Sequence, residues 1–269
     1  MPWIHIISGE KGGVGKSIIS LALPEVLRAK GSEFVICEAD RSNGDVGAAF
    51  EGKHKVIYPY FVEDADQIDQ ADEVLEVALS GANVIVNTPA QSHRAIAKWF
   101  SFGSAELAIE EGVNICFWFV TSGEHDSVSL FMDSLKEFKG FPHVLIRNEH
   151  FTERIIRDYS NPDAWEPIAE AIKQHKVPLV NFPKLPPGDI DYIKTNYFTF
   201  QDVIEKKGGL TSGSVSRVRR TIKAFSKQVE QVFEHDHFKR TDNPVPEPSE
   251  GKKRTRSNKA KASDKQSGD

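Results

Sequence analysis

The stretch GEKGGVGKS, residues 9–17, restricts the fold of this chain more than any other. It follows the β-rich run WIHII at 3–7 and opens an amphipathic segment that starts near residue 16. Glycines at 12, 13 and 15 let the backbone curl so that successive N–H groups point inward, and a helix start adds partial positive charge. Strand, glycine loop and helix in that order predict a nest for phosphate groups. Lys16 is placed to reach β- and γ-phosphates as a point charge, and Ser17 to offer its hydroxyl to a magnesium ion. The expected cradle is Gly12, Gly13, Val14, Gly15, Lys16, Ser17 and Ile18.

Short apolar runs at 3–7, 33–37, 82–87, 113–120, 142–147 and 177–182 alternate with helical patterns near 16–30, 67–80, 93–111, 125–139 and 163–175. Several of the runs are almost unbroken apolar, as strands covered on both faces are. The alternation predicts an α/β fold, a parallel sheet flanked by helices. A further run at 55–62 contains Pro59, which favours an edge strand or a loop. Gly31 suits a helix C-terminus, and Pro24 is expected to bend the first helix. The predicted organisation is a nucleotide-binding domain at 1–188, a helical extension at 189–240 and a disordered basic tail at 241–269, rich in Pro, Ser, Lys and Gly.

The net charge of −5 conceals an asymmetry. Residues 251–269 hold seven Lys or Arg against two Asp, a local +5, so residues 1–250 carry −10. No run approaches the ~18 apolar residues of a membrane span, and MPWIHIISGEKGG lacks the basic start of a secretory signal, so a cytoplasmic location is expected. Cys37 and Cys116 sit in apolar runs, which predicts buried strand thiols and no structural metal site.

The segment KGGVGKS, residues 11–17, resembles the deviant Walker A motif of the ParA/MinD group of P-loop ATPases. The resemblance implies ATP and Mg2+ as cofactors and an ATP-dependent homodimer, with Lys11 crossing to the partner's phosphates in a catalytic role beside Lys16. CEADRSNGD resembles the group's acidic segment, with Glu38 and Asp40 in its two acidic positions. By that match Asp40 orients attacking water or holds the magnesium shell. VIVNTPA resembles the Walker B region and switch, except that Asn87 takes the aspartate position, a departure that leaves hydrolysis open. VTSGEHDSV, residues 120–128, resembles a strand-to-helix turn of the group. Asn148 is the candidate base contact, and the segment around Pro183 resembles the loop on the other side of the base. The resemblance covers about residues 1–185.

Residues 213–236 form the most regular helical pattern, with Val215, Val218, Ile222, Phe225, Val229 and Val232 in one stripe. That valine-rich stripe is unlike an interfacial membrane helix, so packing on the domain or a dimer contact is expected. Arg217, Arg219, Arg220, Lys223 and Lys227, with the basic tail, predict nonspecific contact with DNA phosphates. The expected function is an ATP-dependent dimerisation switch that partitions or positions DNA or a DNA-associated complex, as in plasmid segregation or conjugal transfer, with an unidentified protein partner. A nucleotide-gated module with little hydrolysis and a metabolic P-loop enzyme are the alternatives.

Overall fold

The computed structural model describes residues 1–151, 166–235 and 238. Its first half runs β1 (Trp3–Ser8), α1 (Lys16–Ala29), β2 (Phe34–Glu38), α2 (Asp45–Phe50), β3 (Val56–Ile57), α3 (Glu73–Leu79) and β4 (Asn83–Asn87). Next come α4 (His93–Trp99), α5 (Ala105–Glu110), β5 (Asn114–Thr121), α6 (His125–Glu137) and β6 (His143–Asn148). The described elements close with α7 (Glu166–Gln174), β7 (Leu179–Phe182), α8 (Pro187–Thr195), α9 (Phe200–Ile204) and α10 (Ser212–Phe233).

All seven strands are parallel, in the order β3-β2-β4-β1-β5-β6-β7. Central β1 pairs Ile4 with Val84 on one side and with Ile115 on the other. Chain progression changes side at β1, so the crevice at its carboxyl end is where a ligand site of this architecture belongs. Alternation along each strand divides the core between two faces. Ile7, Trp118 and Val120 pack under α1 and α10, while Ile4, Ile6, Val84 and Phe117 pack with residues of α3, α4 and α5. Helices on both faces are why the strand runs read as continuous apolar sequence.

Each of the six expected strands is present, and the 55–62 run supplies only the two-residue edge strand β3. The expected helix at 93–111 is broken: a π turn at Phe100–Ser104, with Gly103 at φ 96°, separates α4 from α5. Likewise 67–80 divides into a 3-10 turn, Ala65–Ala71, followed by α3. Helix α1 continues through Pro24 to Ala29. The irregular stretch at 189–207 becomes α8 and α9, joined through Tyr197 at φ 51°. A capping box of Thr199 and Asp202 starts α9, two orphan donors being satisfied reciprocally.

The α10 stripe packs on the domain. All six of its apolar residues are buried in the core that includes Ile7, Leu23 and Phe182. Phe225 meets Phe182 edge-on, their ring centres 5.3 Å apart, and full burial of such a side chain contributes about 1.5–3 kcal/mol. Among the described residues no helix is long and apolar enough to cross a membrane. The expected disordered tail at 241–269 lies outside the described residues.

Candidate functional site

Five strand ends meet along the carboxyl edge of the sheet: Ser8, Glu38, Asn87, Thr121 and Asn148. The loop from β1 to α1 lies among them. Gly15, immediately before α1, has φ 103°, and a Cβ there would stand 2.3 Å from the Asn148 amide nitrogen. No other residue fits this close approach in the left-handed region. Gly13 also has positive φ, 78°, but a Cβ there would meet nothing within 4 Å, as at Gly12. The loop is therefore braced at Gly15 and open at Gly12 and Gly13.

Lys16 is only 7% exposed, and its Nζ donates 2.8 Å across the loop to the Gly9 carbonyl. Burial lowers its pKa, opposed by the charges of Asp40 and Glu10. A buried ammonium facing carbonyl oxygen and carboxylates at a glycine loop is the donor chemistry a phosphate requires. Ser17 is half-buried in the first turn of α1, and Val14 and Ile18 are buried beside it. Glu10 accepts from the backbone N–H of His93, tying the loop to α4, and burial raises its pKa.

Lys11 points to Glu124 of its own chain, Nζ to Oε2 2.5 Å, both side chains more than a third exposed. Asp40 is half-buried, and one of its carboxylate oxygens accepts from the backbone and hydroxyl of Ser42. Its own N–H donates to Glu38. Glu38 is buried and takes two further donors, Gly47 N–H at 2.9 Å and Asn87 Nδ2 at 2.8 Å. Burial raises the Glu38 pKa, and those donors oppose the rise. Asn87 is 1% exposed, and its Oδ1 accepts from the Ser20 hydroxyl at 2.9 Å. Thr88 donates to the Ile7 carbonyl at 2.7 Å, fixing the turn after β4 against β1.

Beside the loop lies a cavity of about 310 Å³, lined by Gly13, Gly15, Ile18, Asn148, His150 and Pro183 among others. Asn148, the expected base contact, is buried and braces the loop: its Nδ2 donates to the Val14 carbonyl at 2.9 Å, and its Oδ1 accepts from His150 N–H. One Nδ2 hydrogen and one Oδ1 lone pair are left over from those two bonds. The buried His150 Nδ1 has no hydrogen-bond partner. The structure thus brings Gly13, Gly15, Ile18, Asn148 and the Pro183 loop together around the cavity, turns the Lys16 ammonium to the Gly9 carbonyl, and sets Asp40 in a neighbouring groove. Sequence reasoning missed Glu10, Glu124 and His150. It also left α8 without a role, although Ile190, Asp191 and Lys194 close one side of the cavity. The acid in the turn at 120–128 was the available signal for Glu124; nothing local marks α8, whose position depends on tertiary packing.

No family model matches the chain. Protein MobD of Acidithiobacillus ferrooxidans is 24% identical over 155 residues, a match that spans 56% of this chain and 65% of that relative, just under two thirds of its length. The MinC:MinD cell division protein complex of Aquifex aeolicus gives a TM-score of 0.52 at 13% identity, covering 92% of this chain and 99% of that one. The septum site-determining protein MinD of Pyrococcus horikoshii OT3, complexed with Mg-ADP, gives 0.51 at 19% identity, covering 86% and 95%. With a seven-stranded parallel sheet and the glycine loop at the end of its central strand, the chain has the P-loop fold of the MinD/ParA type.

Proposed function

We propose that this chain is an ATP-binding switch, slow in hydrolysis, that dimerises around nucleotide to position or partition a DNA-associated cargo. The observation that carries this reading is the buried Lys16 ammonium inside a loop opened by Gly12 and Gly13, next to a cavity of about 310 Å³ floored by Asn148. Ser17 is the residue that would hold magnesium, and the amides from Gly12 to Ile18 with Lys16 would hold the phosphates. Asn148, His150 and Pro183 are the candidates to contact the base. When bound, MgATP supplies dense negative charge and a hydrolysable phosphoanhydride.

The Lys11–Glu124 pair bears on dimerisation. A partly exposed ion pair contributes about 0.2–1 kcal/mol, so Lys11 is easily exchanged from Glu124 to a phosphate held by a second copy. Slow turnover is favoured by the β4 terminus, where Asn87 brings no charge and its amide already serves Glu38 and Ser20. Asp40 is left as the half-buried carboxylate facing the neighbouring groove. Contact with DNA is supported by Arg219, Arg220, Lys223 and Lys227, exposed along α10, and by the basic tail. Arg217 is withdrawn from that role, its guanidinium forking onto Asp189 at 2.8 and 3.0 Å.

Equilibrium dialysis with labelled ATP and magnesium tests the reading. Lys16→Ala is expected to weaken retention by about 10- to 100-fold, the loss of charge-assisted hydrogen bonds. Light scattering without nucleotide, with ADP and with a slowly hydrolysed ATP analogue should show doubling of mass with the analogue, lost in Lys11→Ala. Undiminished retention by a folded Lys16→Ala protein would sink the site, and an unchanging mass would sink the dimer.

A further inference from the structure

Residues 56–92 contain seven Asp or Glu and no Lys, Arg or His. The fold gathers these acids onto one side. Glu63 and Asp64 line a groove of about 490 Å³ with Asp40, Arg41, Tyr60 and Ser92. Asp66 and Asp69 lie on the 3-10 turn, and Asp72, Glu73 and Glu76 on the start and outer face of α3. All seven are exposed, and none forms an ion pair among the described residues. The one cation lining the groove, Arg41, is stacked 4.0 Å over Tyr60.

A second feature of the groove points to a ligand. Ser92 is 4% exposed, lines the groove, and its buried hydroxyl has no hydrogen-bond partner. A buried polar group without a partner is uncommon and calls for one.

The chain itself holds a complementary segment. Phe238, the last described residue, is anchored with its ring 5.1 Å from Trp3 and 5.9 Å from Phe233, in a pocket whose wall includes Ser32 and Asn83. Phe238 packs with the α1 and α10 core, on the opposite face of the sheet from α3, so the chain beyond it has to pass the amino edge of the sheet, where Asn83 opens β4 four residues after Leu79 closes α3. Residues 239–269 follow, and 251–269 carry seven Lys or Arg against two Asp. Extended, these residues reach on the order of 100 Å, against about 25 Å for the 3-10 turn and α3 laid end to end.

We propose that this basic tail docks in cis on the acidic face, from the foot of α3 up to the groove beside Gln91 and Ser92. Docking pairs a segment of net charge +5 with the acids that no described cation neutralises. The inference does not depend on nucleotide binding. The contacts are exposed charges, so the docked state dissolves as salt shortens their range.

Both native cysteines are buried, so Ser257→Cys in the full chain takes a nitroxide label alone. In isotope-labelled protein at low salt, amide signals of residues 63–76 and of Gln91 and Ser92 are expected to be lost by paramagnetic broadening. They should return in about 1 M salt, where the Debye length is about 3 Å, and in the variant Glu63→Gln, Asp66→Asn, Asp69→Asn, Glu73→Gln. A mixture of spin-labelled chains with separate isotope-labelled chains should show no loss. Even, weak broadening over the whole surface, loss that persists in high salt, or equal loss in the mixture, where a second copy takes the tail, would each overturn the proposal.

Discussion

The amide of Asn87 donates to Glu38 and accepts from Ser20, so both of its ends are committed inside the protein. Glu38 in turn aligns the Asp40 and Gly47 backbones, joining the end of β2 to α2. An aspartate at 87 would set two carboxylates at hydrogen-bond distance in a buried site, where one of them must keep a proton. Asn87→Asp is therefore expected to cost about 1–3 kcal/mol in urea denaturation, as a buried acceptor loses its donor. A carboxyl pKa raised above its ordinary value of 4.5 makes the folded state bind more protons than the unfolded one. Stability then falls as pH rises from the ordinary value through the raised one, so the deficit should be larger at about pH 8 than at about pH 5. Equal denaturation midpoints for variant and wild type at both pH values would show that Glu38 does not need this donor. Lys16 and Gly15 were legible from their place in the motif. The bracing role of Asn148 was not, because its partner, the Val14 carbonyl, lies 134 residues away in sequence.

Helix α10 shows what periodicity can and cannot specify. Its stripe at alternating spacings of three and four named the buried residues, but not the surface that buries them. The covering surface is supplied by α1, α9 and β7, whose positions follow from the order of strands. Phe225 is fully buried against Phe182 in that surface. Phe225→Ala is expected to destabilise the fold by about 3–5 kcal/mol, measured by chemical denaturation, and a loss below 1 kcal/mol would mean the helix is not part of the cooperative core. The break between α4 and α5 was missed for a related reason. Apolar spacing continues through 93–111, while a left-handed Gly103 and the Ser104 hydroxyl bonded to the Trp99 carbonyl at 2.8 Å redirect the chain.

Across the whole molecule, burial of polar groups sets the response to acid. His5, fully buried, accepts from Trp118 Nε1 at 3.1 Å, and burial lowers its pKa to about 3. Burial likewise lowers His143 to about 4, helped by neighbouring histidines and opposed by its hydrogen bonds to Phe141 and Ser134. Each has an ordinary pKa of 6.5, so between that value and the lowered one the unfolded state binds more protons. Stability is full above 6.5 and is lost as pH falls toward 4 and then 3. Glu25 acts in the opposite sense, since burial raises it to about 6, but over a narrower range. Thermal denaturation should show stability dropping by on the order of a few kcal/mol between pH 6.5 and about pH 4; a flat profile would contradict buried neutral histidines. The sequence by itself determined the glycine loop between β1 and α1 and the alternation of strands and helices, because backbone conformation and apolar periodicity are local properties. Only the tertiary structure decided that Asn87 serves Glu38, that Asn148 braces the loop, that α8 closes the cavity and that α10 covers α1. Those depend on which distant segments the parallel sheet brings within hydrogen-bond or van der Waals reach.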